Sequence, residues 1–298
     1  MVTHLSLRER IKVIKSDFER LRLGKESLLE LLSEAELSES VYNSNAIENS
    51  TLTLKETEKI LLDLEVSRNV SLREVFEAKN LARISEFVKT KGRGVDLNED
   101  LILLLHRMLL QNIKEDWAGR FRQAGEYVRV GTHVAPPPEF VRQYIRDLLI
   151  EDKSEAEMYF VDRIALFHLK FENIHPFCDG NGRMGRVLIN LQLQQLGYPP
   201  IIIRNKEKKS YYQAFREYDD SQRTKMMSKI LALAVLESLH KRIAYLSGAK
   251  IVTLADYGKK NKLNPSALIN TANRQTIPAF REKGVWKMDS GFQSVKRG

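Results

Sequence analysis

Twelve consecutive residues, His175-Pro176-Phe177-Cys178-Asp179-Gly180-Asn181-Gly182-Arg183-Met184-Gly185-Arg186, constrain this 298-residue chain more than any other feature. Gly180 and Gly182 let backbone N–H groups turn toward an anion, a nest best placed where a helix begins and its dipole favours negative charge. A helical run follows from Val187 to Leu196, stopped by Gly197 and Pro199. Arg183 and Arg186 supply permanently charged planar forks for phosphate oxygens. Asp179 is a hard oxygen ligand of the kind Mg²⁺ takes alongside substrate phosphates. His175 titrates near neutrality and can accept a proton from an attacking hydroxyl. The set suits chemistry at a nucleotide phosphate. A glycine-rich loop with a capping histidine is the plainer alternative. Cys178 beside His175 admits a Cys–His nucleophile, but that leaves the glycines and arginines unexplained. His168 and His175 lack the i,i+4 spacing of a zinc helix.

The twelve residues resemble the Fic family motif, His-Pro-Phe-x-(Asp/Glu)-Gly-Asn-Gly-Arg-x-x-Arg, at every specified position. The resemblance implies transfer of AMP from ATP to a Ser, Thr or Tyr hydroxyl of a target protein. His175 would be the general base, Asp179 the Mg²⁺ ligand, and Gly180, Asn181 and Gly182 the phosphate cradle. Arg183 and Arg186 would hold the outer phosphates. A kinase branch of the family carries Lys at the position of Gly182, so AMP transfer is favoured over phosphate transfer.

Upstream, Ser44-Asn45-Ala46-Ile47-Glu48-Asn49 resembles the family's inhibitory motif, (Ser/Thr)-x-x-x-Glu-(Gly/Asn), in its N-terminally inhibited class. Ser44 and Glu48 share a face if the segment is helical. The resemblance implies that Glu48 pairs with Arg186 and occupies the arginine meant for the ATP γ-phosphate; Ser44, Glu48 and Asn49 are the inhibitory residues. In some relatives the same Glu helps to hydrolyse AMP from the target, so an AMP-removing phosphodiesterase at the same site is the alternative activity. Between the two motifs, Gly119-Arg120-Phe121-Arg122 precedes an alternating stretch, Tyr127 to Ala135, that Pro136, Pro137 and Pro138 stop. It reads as a small hairpin and resembles the family's flap, whose strand edge (residues 127–135) would pair with the target backbone. Gly131, Thr132 and His133 in its turn are counted with the nucleotide contacts. Tyr211 and Tyr212 resemble paired tyrosines beside the nucleotide; a buried aromatic pair on a helix is the equal alternative. Asp219 is a further polar candidate for the adenine.

Composition limits the classes. With 43% hydrophobic and 29% charged residues the chain reads as soluble and globular. The longest apolar stretch, Ile230 to Leu236, is too short to span a bilayer, so no membrane partner is expected. The N-terminus does not read as a signal segment, and one cysteine suits a cytoplasmic location. Periodicity and caps place helices within 5–40, from Thr53 to Leu64, and over 71–89, 101–110, 140–149, 156–171, 187–196 and 224–246.

The basic balance belongs to the tail. From Lys250 onward ten basic residues face three acidic ones, giving +7 of the chain's net +9. Thr253 and Asn264-Pro265 cap two helices, and Ala279–Arg281 and Val285–Met288 suggest a hairpin. This order resembles a small winged-helix or excisionase-like module. Asn270, Asn273, Arg274 and Gln275 would face bases, and Lys260, Lys262, Lys283 and Lys287 phosphates. A basic solvated cap is the alternative, and a DNA-binding regulator or antitoxin-like protein the alternative function. The expected fold is mainly α: a Fic-type helical core with a small β-hairpin flap, plus a C-terminal winged-helix-like module. The expected divisions are 1–98 (helical, with the inhibitory motif), 99–248 (catalytic core) and 249–298 (basic module). ATP, Mg²⁺ and a target protein are the expected partners, with DNA at the tail; relatives that act as dimers admit a homo-oligomer.

Overall fold

A computed structural model describes residues 3–64, 69–131 and 133–293; Thr132, Lys296 and Arg297 therefore lie outside the described residues. The fold is mainly helical. Its elements run α1 (Leu5–Arg22), α2 (Glu26–Ile47), α3 (Leu54–Leu61), α4 (Leu72–Lys91) and α5 (Glu99–Leu110). A hairpin follows, β1 (Arg129–Val130) and β2 (His133–Val134), then α6 (Pro138–Ser154), α7 (Phe160–Ile174), α8 (Asn181–Gln195), α9 (Lys208–Ser221) and α10 (Lys225–Leu246). The chain continues through β3 (Ile251–Thr253), α11 (Leu254–Lys260), α12 (Pro265–Asn273), β4 (Phe280–Glu282) and β5 (Val285–Asp289).

Helix starts follow their caps. Thr53 and Glu56 form a reciprocal capping box, and Ser71, Asn98, Thr253 and Asn264 each accept a backbone N–H of the following turn. Pro138, the last of the three prolines, sits in the first turn of α6, where its missing N–H costs nothing. Helix ends differ more from expectation. The helix after Thr53 stops at Leu61 instead of Leu64, where Asp63 turns left-handed at φ 55°. The largest correction is α8, which begins at Asn181 rather than Val187 and so makes most of the glycine motif helical. Two glycines in a helix cost about 1 kcal/mol each, so packing must favour them. β3 has no counterpart among the sequence expectations, and α9 has one only in the alternative that set Tyr211 and Tyr212 on a helix.

Two compact units are distinct. The first comprises Met1–Thr3, Leu37–Tyr198 and Ile202–Leu231. Its centre is α8, which packs against α4, α5, α7 and the short turn Gly92–Gly94 and is buried on nearly every side. Leu81, Ile84, Ile102, Leu105, Leu109, Phe171, Leu188 and Leu191 form the core around it. Gly185 sets the approach of α8 to α7: a Cβ there would stand 2.5 Å from Glu172 Oε1 and from the His168 ring. The β1–β2 ladder is antiparallel and short, pairing Arg129 with Val134 and Val130 with His133.

The second unit comprises His4–Glu36, Pro199–Ile201 and Ala232–Gly298. Its antiparallel sheet has the order β3-β5-β4. Leu254, Tyr257, Leu268, Ala272, Ala279 and Met288 close a small core between α11, α12 and the sheet. Lys283 and Gly284, at φ 49° and 79°, make the two-residue turn that joins β4 to β5, as the twist of a hairpin requires. Arg281 stands opposite Trp286 in the ladder and lies 4.6 Å above its ring.

Gly185→Ala should destabilise the protein by about 1–3 kcal/mol, because the methyl group meets two side chains of α7 that are themselves packed. The shift of the urea midpoint at constant slope measures it.

Candidate active site

The motif loop is fixed before any ligand is considered. α7 ends at His175, which turns left-handed at φ 48° and so directs the chain away from the helix axis. Asn181 then closes the loop with its side chain: Oδ1 accepts from Phe177 N at 2.9 Å and Nδ2 donates to Phe177 O at 2.8 Å. The His106 ring stacks on Phe177 with centroids 3.6 Å apart. His106 Nδ1 accepts from Gly119 N, which leaves Nε2–H to donate to Asp179 O at 3.0 Å. That tautomer is neutral, in keeping with a pKa that burial depresses to about 4. Arg122 completes the frame. Its buried guanidinium donates to the carbonyls of His175 (2.8 Å), Pro136 (2.9 Å), Glu126 (3.0 Å) and Ile174 (3.3 Å), tying the loop to the base of the hairpin.

α8 then opens on Gly180, left-handed at φ 85°. The bond from Met184 N to Gly180 O starts the helix, so the amides of Asn181, Gly182 and Arg183 have no intrahelical acceptor. Arg186, 5% exposed, lies one turn further on. Its Nε donates to Ser44 Oγ at 2.9 Å, and its Nη2 donates to Ser44 O at 2.8 Å and Glu48 Oε1 at 2.9 Å. Burial opposes this charge, but Glu48 and Tyr211 hold its pKa above the ordinary arginine value. Glu48 follows the last residue of α2, and Asn49 turns left-handed at φ 69° to end the helix. Asn49 Oδ1 accepts from Lys208 Nζ at 2.6 Å, and Tyr212 OH donates to Ile47 O at 3.2 Å, so α9 clasps this helix end. A Cβ on Gly182 would collide with the Glu48 carboxylate. Glu48 therefore sits against the N-terminal turn of α8.

Arg183 is engaged elsewhere. It lies 3.0 Å from both Glu77 Oε1 and Asp179 Oδ1, while Arg73 donates to Asp179 Oδ2 at 2.6 Å and to Glu77 Oε1 at 3.0 Å. Asp179 is thus bracketed by two arginines. Each carboxylate oxygen nevertheless keeps a second lone-pair site, so Asp179 fits a single divalent cation shared with a substrate. Tyr211 is 1% exposed, with its hydroxyl 2.6 Å from His168 Nε2 and its ring 5.9 Å from the Arg186 guanidinium. It supports the arginine from within the core. Tyr212 is only half-buried. His133 Nε2 lies 2.8 Å from Asn173 O, and Asn173 donates to Asp219 at 3.0 Å, which brings His133 and Asp219 to the C-terminal end of α7. Gly131 O accepts from Arg129 Nε at 2.8 Å in the hairpin turn; Thr132 lies outside the described residues.

His175, expected as the general base, follows directly on α7. Its Nδ1 lies 3.3 Å from Glu172 O, so Nδ1–H donates there and Nε2 keeps its lone pair. Burial lowers its pKa to about 4, partly offset by the Glu172 carbonyl, so the ring is neutral at physiological pH. Glu172, largely but not wholly buried on α7, stands with Oε2 4.0 Å from His175 Nδ1. Burial, reinforced by Glu48 and opposed by Arg186, pushes its pKa up to about 8. The sequence reading omits Glu172, Arg73, Glu77, His106 and Arg122 as site residues. Arg122 alone had a signal there, in the Gly119–Arg122 run.

Comparison with known proteins gives a consistent family. Residues 96–193 match the Fic/DOC family model. The chain is 34% identical to "Protein adenylyltransferase fic-1" of Caenorhabditis elegans over 81% of its own length and 45% of the relative's. It is 33% identical to "Protein adenylyltransferase Fic" of Nematostella vectensis over 58% of its own length and 41% of the relative's. The chain thus spans less than half the length of these curated relatives. Among solved structures, a Fic-domain-containing signaling protein from Bacteroides thetaiotaomicron superposes with a TM-score of 0.72 at 28% identity, covering 80% of this chain and 97% of that one. Fic-1 from C. elegans superposes with a TM-score of 0.69 at 26% identity, covering 80% of this chain and 71% of that one.

Two outcomes test this geometry. Arg122→Ala leaves several carbonyls without their donor and should cost about 3 kcal/mol, read as a lower urea midpoint. Glu172 holds its proton to about pH 8 when folded but only to about 4.5 when unfolded. Its contribution to stability is complete below 4.5 and is lost as pH rises through 8. His106 and His175 act in the opposite sense: their contributions are present above 6.5 and lost as pH falls through 4. Above about pH 7 the histidine contributions level off, so the wild-type midpoint should fall toward pH 8 and that of Glu172→Gln should not.

Proposed function

We propose, from the match of residues 96–193 to the Fic/DOC family model, that this chain transfers AMP from ATP to a protein hydroxyl and is restrained by Glu48. The relatives named protein adenylyltransferase support the reaction class. The observation that carries the restraint is the seat of the Glu48 carboxylate, 2.9 Å from Arg186 Nη2 and against Gly182 at the start of α8. An anion-binding helix N-terminus and a buried arginine converge on one point, and a carboxylate of this chain fills it.

In the proposed reaction the target hydroxyl oxygen attacks the α-phosphorus of ATP. A new P–O bond forms, the bond to the bridging oxygen breaks, and pyrophosphate leaves with the electron pair. His175 Nε2 takes the hydroxyl proton, which its neutral state at physiological pH permits. The amides of Asn181, Gly182 and Arg183 receive phosphate oxygens, and Arg186 holds the γ-phosphate once Glu48 withdraws. Asp179 would hold magnesium together with the phosphates. Bound there, the ion would neutralise charge on the phosphate oxygens. Arg183, fixed between Glu77 and Asp179, acts by orienting Asp179 and adds positive charge nearby. Tyr212 and the His133–Asp219 pair are the nearer candidates for the nucleoside. The target docks along the hairpin 127–135, where Tyr127, Val130 and Val134 are exposed.

Incubation with α-³²P- and γ-³²P-labelled ATP tests the proposal on wild type, Glu48→Gly and Glu48→Gly/His175→Ala. Protein label should come from the α-label alone, rise at least about tenfold in Glu48→Gly and vanish in the double variant. Equal labelling of wild type and Glu48→Gly would remove the restraint. Label from the γ-position would replace AMP transfer with phosphate transfer.

A further inference from the structure

The catalytic reading leaves the second unit's C-terminal part unused. Here the chain runs β3, α11, a turn, α12 and the β4–β5 hairpin, with both helices packed on one small core. α12 buries Leu268 and Ala272 and leaves Ile269, Asn270, Asn273 and Arg274 exposed. Asn270, Asn273 and Arg274 make no side-chain hydrogen bond among the described residues. Lys259 and Lys260 project from the last turn of α11, and Lys262 from the turn that follows, at φ 55°. All three are exposed and have no ion-pair partner among the described residues.

The charges split into two classes. Arg281 is bound by Glu237 at 2.6 Å and Lys287 by Glu282 at 2.6 Å, so these cations serve the interior of the unit. Gln275, expected at bases, is a correction: it is 2% exposed, its Oε1 is 2.8 Å from His240 Nδ1, and its Nε2 donates to the carbonyls of Ala272 and Ala279. Lys287 is likewise withdrawn from phosphate duty. What remains outside includes one helix face bearing two asparagines and an arginine, beside three lysines and with Asp256 the exposed acid of α11; Lys283, expected on phosphates, is exposed in the β4–β5 turn.

We propose that α12 is a recognition helix for duplex DNA, with Asn270, Asn273 and Arg274 toward base edges and Lys259, Lys260 and Lys262 toward phosphates. The major groove admits one α-helix; asparagine pairs with adenine and arginine with guanine through two hydrogen bonds each. Lysines flanking the helix fix it on the backbone. An acidic protein would satisfy the lysines but gives no role to three amide and guanidinium groups on one helix face. The inference is independent of AMP transfer.

Fluorescence anisotropy of the full chain with a labelled random-sequence 24-base-pair duplex, from 50 to 200 mM salt, is the test. Wild type should bind with a log–log salt slope of about −3, as three lysines on phosphates imply at about −0.9 each. Lys259→Glu/Lys260→Glu/Lys262→Glu should lower affinity at least about tenfold and flatten the slope. Asn270→Ala/Asn273→Ala/Arg274→Ala should keep most of the slope but lose the sequence enrichment that wild type gives on selection from randomised duplexes. All six positions are exposed, and unchanged circular dichroism confirms folding. Absence of duplex binding at 150 mM salt, binding indifferent to the lysine reversals, or binding to anionic lipid vesicles in place of duplex overturns the proposal.

Discussion

A helix buried on nearly every side cannot carry charges unless partners come to it, and α8 carries two arginines. Arg183 draws Glu77 from α4 and Asp179 from the loop before it; Arg186 draws Ser44 and Glu48 from the end of α2. These demands position α2 and α4 as firmly as the apolar core does. Removing either partner set would strand a guanidinium in a low-dielectric interior, a loss of several kcal/mol. The glycines belong to the same constraint. Gly185 lets α7 close on α8, and Gly182 leaves room for the Glu48 carboxylate.

That organisation also governs protonation. The site buries three ring nitrogen systems, His106, His168 and His175, and each is held neutral by desolvation. Glu172, pushed the other way, carries a proton in the same interior. A neutral histidine with a free Nε2, next to a carboxyl that is itself uncharged, avoids the ion pair that would otherwise raise the histidine's basicity and fix its proton.

Much of this was legible in the chain, for local reasons. Capping residues act within three or four positions, so the starts at Thr53, Ser71, Asn98, Thr253 and Asn264 could be read directly. The contact of Glu48 with Arg186, 138 residues away, came from family resemblance, since no local rule reaches that far, and the two bonds from Arg186 to Ser44, 142 residues away, were not expected. The start of α8 could not be read because glycines signal a loop unless burial compensates them, and burial is not local. The roles of Arg122, visible only as part of the Gly119–Arg122 run, and of Glu172 stayed hidden for the same cause: one works through four carbonyls, the other through isolation. In the tail, composition showed the charge but not its allocation. Lys287 and Arg281 look like Lys260 and Lys262 in sequence, yet they are already paired inside the fold.

The grip on Arg186 is divided between two kinds of residue. Ser44 lies within α2 and supplies two contacts from a continuous helix, whereas Glu48 lies just past its last residue, where the backbone has already reversed at Asn49. The two can therefore part company. Loss of the carboxylate leaves the guanidinium held through Nε and the Ser44 carbonyl, aimed at the same point in space. An incoming anion would meet a socket already formed, with no long side chain left to immobilise, and would replace one anion by another at little entropic cost.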